Sequence, residues 1–221
     1  MTEKIKHHLS DDLLISYSAG LLNEAFSLMV ATHVSLCDTC RAQLESFDAV
    51  GGAILEGDGL PDVPHVAMSP DAIEAIFATI DLAPAQESRA ARRKDGVLPA
   101  PLQDYVGGDL ASVKWRPVGM GVKQAILPTA KGATARLLYI PAGAAVPDHS
   151  HNGTELTMVL KGAFSDEYDS FGPGDVETAD QDVTHTPVAD ISEDCICLAV
   201  TDAPLKFKGI IPRMLQPFLR I

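Results

Sequence analysis

The sequence predicts a two-domain α + β protein, with an all-α helical bundle in its first part and an all-β barrel in its second. Apolar residues recur at helical spacing over roughly the first eighty residues. A stretch rich in alanine, arginine and proline follows, without any apolar period, which is typical of a linker. Short apolar runs separated by Gly, Pro and Asp come after it. We therefore divide the chain into residues 1–83, a linker at 84–101 and residues 102–221.

The helices of the first domain are predicted from their N-terminal signals. Ser10 is a suitable N-cap for a first helix, and Asn23 can cap a second. Ser69-Pro70-Asp71 begins a further helix, because proline in the first turn loses no hydrogen bond. The apolar face of this helix consists of Ile73, Ile76, Phe77 and Ile80.

The second domain has no convincing helical period after Pro101. Its runs ATARLLYIPAG, ELTMVLKGAF and CICLAVTDAP are typical of short strands, and many such strands favour a β-barrel or jelly roll. Cys195 and Cys197 fall in the third run. Two interpretations of this pair stay open: ordinary buried thiols, or a redox-sensitive pair.

Composition narrows the function classes. The chain has 221 residues and a net charge of −13, which argues against a surface that binds nucleic acid directly. Its N-terminus lacks the apolar run of a secretory signal, and no segment is apolar enough to span a membrane. We therefore expect a cytoplasmic protein whose four cysteines are thiols or metal ligands rather than disulfides.

The motif His33-x-x-x-Cys37-x-x-Cys40 is the first sign of metal chemistry. These three side chains can share one ion, but a closed structural zinc site needs four ligands. The candidates for the fourth ligand are His7, His8 and the more distant His65. Two thiolates and two imidazoles would give a neutral zinc site. The alternative is a buried pair of cysteines that only packs.

The segment HHLSDDLLISYSAGLLNEAFSLMVATHVSLCDTC resembles the zinc-binding anti-sigma domain, whose signature is a histidine followed by H-x-x-x-C-x-x-C. The whole chain is similar to the ChrR-type anti-sigma factors, in which a cupin follows that domain. In those proteins the second histidine of an early His-His pair completes the zinc site. The resemblance therefore implies the ligands His8, His33, Cys37 and Cys40.

The stretch PDHSHNGTELTMVLKG carries a second set of ligand side chains. This stretch runs from Pro147 to Gly162. Together with the preceding residues from Gly143, it fits the first cupin motif, G-x5-H-x-H-x3-4-E-x6-G, with His149, His151 and Glu155 at the ligand positions. On a strand the two histidines point to one face. His185 lies in the region of the second cupin motif, and the resemblance keeps it as the fourth ligand. Imidazole and carboxylate suit Zn, Fe, Mn or Ni, and the resemblance favours zinc; a metal-free cupin is the alternative.

The resemblance implies an anti-sigma factor that is not an enzyme. The N-terminal domain would bind and inhibit a group IV (extracytoplasmic-function) sigma factor, with the apolar face of the Ser69–Leu82 helix contacting the partner or packing within its own domain. The cupin, residues 102–221, would be the sensor that triggers release under oxidative stress, by singlet oxygen or a related oxidant. The alternative function is a cupin metalloenzyme, a dioxygenase or an isomerase.

Overall fold

The structure is a computed structural model that describes residues 5–57, 67–82, 96–147, 149–150, 152–180, 183–204 and 206–207. It confirms the predicted fold class, because four helices are followed by a cupin-like β region. None of the helices in these ranges is long and apolar enough to span a membrane. Most of the predicted linker, residues 84–95, lies outside the described ranges.

The first two helices begin at the N-cap residues that the sequence predicts. The Ser10 hydroxyl accepts a hydrogen bond from the Leu13 backbone N–H, and the Asn23 side chain accepts one from Phe26. Cys37 is the N-cap of the third helix, so a metal-ligand candidate also begins a helix. The helices are α1 (Asp11–Ser18), α2 (Glu24–Val34), α3 (Asp38–Leu55) and α4 (Ala72–Leu82).

The second region contains one helix that the sequence pattern did not predict. This helix, α5 (Ala100–Val106), is too short at seven residues to show an apolar period, and a 3-10 turn follows at Leu110–Ser112. The described part of the region also contains twelve strands: β1 (Arg116–Gly119), β2 (Val122–Ile126), β3 (Thr134–Ile140), β4 (His149–Ser150), β5 (Glu155–Lys161), β6 (Phe164–Ser165), β7 (Ser170–Phe171), β8 (Val176–Ala179), β9 (Thr184–His185), β10 (Val188–Ala189), β11 (Cys195–Thr201) and β12 (Lys206–Phe207).

The largest sheet is antiparallel and has the strand order β1-β2-β3-β11-β5-β8. Two three-stranded sheets, β10-β6-β7 and β12-β4-β9, accompany it. One face of the large sheet packs against β6, β7 and β10 and forms the interior of the barrel. The buried apolar residues of this interior are Ile140, Val159, Phe164, Phe171, Ala189, Cys195 and Cys197. Strand alternation places their sequence neighbours on the other face.

That other face is covered by the helical region. Helix α2 lies against β3, β5 and β11, and its Met29 and Val30 are fully buried. They belong to the same apolar cluster as Leu198 and Val200 of β11. Leu98, within the predicted linker, is also buried in this cluster. One continuous core therefore joins the two regions.

Two carboxylates add hydrogen bonds across the contact between the regions. Asp175, in the loop before β8, accepts hydrogen bonds from the backbone N–H groups of Lys6 at 2.6 Å and His7 at 2.9 Å. Glu24 of α2 accepts from the Tyr105 hydroxyl at 2.7 Å and from the Ala130 backbone N–H at 2.5 Å. The contact is therefore fixed by directional bonds as well as by apolar packing.

Candidate metal centres

The first candidate centre lies where α2 meets α3. His33 is in the last turn of α2, and a tight turn, closed by a 2.9 Å hydrogen bond from the Cys37 backbone N–H to the His33 carbonyl, leads into α3. Cys37 caps α3, and Cys40 follows in its first turn. His8 approaches from the segment before α1. Local chain geometry thus supplies three of the side chains, and tertiary folding supplies the fourth.

The ligand atoms of His8, His33, Cys37 and Cys40 all lie within 4.8 Å of one another. The His8 Nδ1 atom is 3.3 Å from the Cys37 sulfur and 3.5 Å from the Cys40 sulfur, and His33 Nε2 is 3.3 Å from the Cys40 sulfur. Tetrahedral zinc with Zn–S bonds of about 2.3 Å and Zn–N bonds of about 2.0 Å requires N-to-S separations of about 3.5 Å. These four residues therefore fit a structural zinc ion.

The neighbouring histidine, His7, has a different environment. Its ring packs on Phe171 with centroids 4.5 Å apart, and its Nε2 atom is 3.0 Å from an Asp169 carboxylate oxygen. His7 therefore faces the cupin region, while His8 faces the cysteines. His65, the third histidine considered from the sequence, lies outside the described residues.

Burial makes the first centre costly without a cation. His33 is fully buried, and this burial lowers its pKa to about 4, against the opposing effect of the Gly174 backbone carbonyl. Burial likewise raises the pKa of Cys40 to about 11, and the nearby Cys37 adds to the rise. Metal ligation requires a neutral imidazole and thiolates. The neutral His33 is already suited to an ion, and a bound cation would offset the cost of the thiolates.

The second candidate centre is the cupin motif. Strand β4 places His149 directly opposite His185 of β9 in the antiparallel register, and Glu155 begins β5. Glu155 and His185 are buried, with 8% and 3% of their surfaces exposed. His151 lies outside the described residues, so its prediction as a ligand stays a prediction.

The imidazole of His185 is held by two carboxylates that the sequence analysis did not assign. Its Nδ1 atom is 2.7 Å from Glu177 and 3.2 Å from Asp166. Burial alone would lower the pKa of His185, but Glu177 and then Asp166 outweigh it and raise this pKa to about 9. In carboxylate–histidine–metal arrangements, a carboxylate orients the imidazole through one ring nitrogen while the other nitrogen binds the metal. Because Asp166 and Glu177 lie in other parts of the chain, only the tertiary structure brings them to His185.

Two glycines of the cupin motif occupy backbone conformations that other residues adopt with strain. Gly143 has a φ of +71° and Gly162 a φ of +73°. A Cβ atom on Gly162 would also lie 2.6 Å from the Asp194 carbonyl oxygen. The turns on either side of the ligand-bearing segment therefore require glycine.

Cys195 and Cys197 lie on the barrel-facing side of β11. Both are fully buried, and their sulfur atoms are 3.4 Å apart. The hydrogen bond with Cys195, together with burial, raises the pKa of Cys197 well above its usual value. Both thiols are shielded from solvent, as expected for a pair that belongs to the core.

Helix α4 carries an apolar face that the rest of the described chain does not cover. Ile73, Ile76, Phe77 and Ile80 are between 52% and 61% exposed. Among the described residues, α4 belongs to neither apolar core. Exposed apolar patches of this kind occur at protein–protein or membrane interaction sites and in ligand-binding grooves.

Comparison with known proteins finds matches over both regions. A family model described as the ChrR cupin-like domain matches residues 103–205. The chain is 56% identical over 217 residues to the anti-sigma-E factor ChrR of Cereibacter sphaeroides, which covers 98% of this chain and 99% of that protein. It is also similar to the crystal structure of Rhodobacter sphaeroides SigE in complex with the anti-sigma ChrR, at 53% identity and a TM-score of 0.77, covering 90% of this chain and 100% of that chain.

Proposed function

This chain belongs to the ChrR family of anti-sigma factors, and we propose that it binds and inhibits a group IV sigma factor in the cytoplasm. The observation that carries the proposal is the match over 98% of the chain, because it includes the helical region as well as the cupin. The solved relative was crystallised with the sigma factor SigE. A heterodimer with one sigma factor is therefore the partner complex that we propose, without direct contact to nucleic acid.

The zinc ion that we propose at His8, His33, Cys37 and Cys40 would be structural. When bound, it cross-links the segment before α1 to the α2–α3 junction, a connection that small helical units need because their own cores are thin. Leu14 and Leu44, with Phe26 of α2, supply the adjacent apolar packing. The site would thereby fix the relative positions of the helices that present a surface to the sigma factor.

We assign the apolar face of α4 to the sigma factor. Its four large side chains are more than half exposed, and leaving them in water costs free energy that a partner would recover. The proposal is supported by the position of the face, since the described part of the chain covers it with no other element. Oxidation-triggered release would have to weaken this contact or the zinc-bound helices that support it.

The cupin is well placed to influence the helical region. Strand β8 carries Glu177, which holds His185, and the next residue toward the N-terminus, Val176, donates a backbone hydrogen bond to the His7 carbonyl at 3.2 Å. His7 precedes His8 of the first centre. A displacement of His185 therefore has a short route, through Glu177, Val176 and His7, to the zinc-binding segment. We propose that oxidative stress, through singlet oxygen or a related oxidant, acts on the cupin in this way, with zinc or another divalent metal at His149, His151, Glu155 and His185.

The same arrangement favours a sensor over a catalyst. A metalloenzyme does not require a zinc-binding helical region packed against β3, β5 and β11 of its sheet, whereas a sensor does require a contact through which it can act on the helices. We therefore propose that the cupin binds a metal without turnover. The enzyme alternative would be favoured if the chain converts a small molecule, if this activity depends on His149 or Glu155, and if it leaves sigma binding unchanged.

Co-purification tests the proposed function. The full chain is produced with the sigma factor encoded beside its gene, and complex and zinc content are measured. We expect a 1:1 complex and one zinc ion that depends on Cys37 and Cys40. The variant I76E/F77E should lose the sigma factor and keep its zinc and its fold, since both side chains are exposed. The matched control D71A changes an exposed residue beside α4 and should bind normally. Retention of the sigma factor by I76E/F77E would remove α4 from the interface.

A further inference from the structure

Arg136 of β3 is a buried cation whose hydrogen-bonding capacity is largely unused. Only 5% of its surface is exposed, yet its Nε and Nη1 atoms are buried without a hydrogen-bond partner in the described chain. The remaining nitrogen, Nη2, makes one long contact of 3.5 Å with the Thr201 hydroxyl. An arginine carries five N–H donors, and leaving such donors buried and unpaired costs free energy.

The guanidinium lies on the barrel-facing side of the large sheet. Side chains alternate along β3, so Ala135 and Leu137 face the helical region. Arg136 points to the opposite face, which it shares with Leu138 and Ile140. Thr201 of β11, which Arg136 contacts, is paired in register with Glu155 of β5. Arg136 is therefore on the same inner surface as the cupin ligand Glu155.

A purely structural role does not account for this arrangement. Buried arginines in protein cores are ordinarily paired with a carboxylate, because an unpaired buried charge is strongly unfavourable. Within the described ranges Arg136 forms no ion pair closer than 4 Å; burial lowers its pKa, and the charge of Glu155 only partly opposes this effect. The side chain is also almost wholly buried, so bulk solvent supplies few acceptors to it. Burying the Arg136 guanidinium therefore costs free energy that no contact within the described residues offsets.

We propose that Arg136 anchors a small organic monocarboxylate inside the cupin barrel. A planar carboxylate matches the guanidinium geometry and would satisfy the donors that the fold leaves unpaired. The charge of Glu155 acts on Arg136, and this carboxylate disfavours a dianion such as phosphate more strongly than a monoanion. The apolar side chains beside Arg136, including Leu138, suit a ligand with a short hydrocarbon body.

Thermal unfolding of the full, metal-loaded chain tests the proposal. The probes are formate, acetate and butyrate, each added up to about 10 mM, which is ten times a dissociation constant of about 1 mM. Acetamide, which matches acetate in shape without its charge, is the neutral control. We expect a saturable rise in melting temperature with at least one monocarboxylate and none with acetamide. Heteronuclear NMR should show the Arg136 Nε–H resonance shifting over the same concentration range.

Variants of Arg136 separate binding from folding. R136M removes the charge and should abolish the carboxylate effect while leaving the ligand-free melting temperature equal or higher, because no ion pair is lost. R136K keeps the charge without the planar group and should weaken binding by at least tenfold. R116Q, which removes an exposed arginine from β1, should respond as the unmodified chain does.

Three results would overturn the proposal. The first is no response to any of the three monocarboxylates. The second is a carboxylate response that persists unchanged in R136M, which would assign the effect to the metal or to general salt. The third is a large fall in the ligand-free melting temperature of R136M, which would show that the arginine is needed for folding. A response that R136M removes, with its fold intact, supports the proposal.

Discussion

The carboxylate of Asp175 accepts a hydrogen bond from the backbone N–H of His7 at 2.9 Å, although 168 positions separate the two residues in the sequence. The same carboxylate accepts hydrogen bonds from the Lys6 and Gly172 backbone N–H groups. The segment that delivers His8 to the cysteines is therefore attached to the cupin loop before it reaches them. Hydrogen bonds from the cupin loop thus help to position the segment that contributes His8 to the first candidate metal centre.

Asp175→Ala should loosen the zinc-binding segment from the cupin. Asp175 has only 6% of its side chain exposed, and the variant leaves three backbone N–H groups without their charged acceptor. We expect the free energy of unfolding to fall by about 2–3 kcal/mol. Urea denaturation measures this loss. Asp169→Ala, which removes an exposed acceptor of the His7 ring, should cost much less, because an exposed ion pair is screened by solvent; equal losses in the two variants would contradict the assignment.

Tyr105→Phe should weaken the other polar contact between the regions. The hydroxyl donates to Glu24, and burial together with this carboxylate raises the pKa of Tyr105 to about 12. Because the folded state favours the neutral phenol, its stabilising contribution is present below pH 10 and disappears as the pH rises toward 12. We expect a difference of about 1 kcal/mol between the two proteins at neutral pH. Denaturation at several pH values checks this, and a difference that does not narrow above pH 10 would be inconsistent with it.

Cys40→Ser should remove the zinc ion that we propose for the first centre and release the sigma factor with it. A single remaining thiolate and two imidazoles bind zinc far more weakly than the full set, and the buried cluster would then lack its cross-link. Metal analysis and co-purification measure the two effects together. Ser46→Ala, on the exposed side of the same helix, is the control. Sigma binding by a zinc-free Cys40→Ser protein would show that the metal is not needed for the interface.

Glu177→Gln should weaken metal binding at the second centre without changing any predicted ligand. Glutamine keeps the size of the side chain but loses the charge that orients and polarises His185 through Nδ1. Loss of an outer carboxylate of this kind typically reduces metal affinity by about 10- to 100-fold. Competition with a chelator gives the affinity, and zinc at the first centre serves as the internal reference. Unchanged affinity would mean that His185 is not a ligand or is positioned by other contacts.

The Cys195 and Cys197 thiols should resist alkylation in the folded protein. Both are fully buried, and the pKa of Cys197 is raised well above its usual value, whereas alkylating reagents require an accessible thiolate. Mass spectrometry after iodoacetamide treatment should find these two residues modified only when denaturant is present. Rapid labelling of either thiol without denaturant would show that the barrel opens and would favour the redox interpretation of the pair.

The sequence determined the features that depend on neighbouring residues. Ser10 and Asn23 cap helices as predicted, because capping involves residues only three positions apart. The three ligand candidates His33, Cys37 and Cys40 also come together locally, since one turn and one helix start join them. The fold class followed from the same local patterns and is confirmed. The helix α5 was missed because seven residues are too few to establish a period.

Only the tertiary structure decided the features that join distant parts of the chain. The separate environments of His7 and His8 depend on how the N-terminal segment meets the loop before β8, and a histidine pair in a sequence carries no such information. The contact between Glu177 and His185 likewise requires two separate sheets to pack together, because β8 pairs with β5 in the large sheet whereas β9 pairs with β4 in another. Sequence spacing thus specifies which residues can bind a metal, whereas packing decides which of them meet and what supports them.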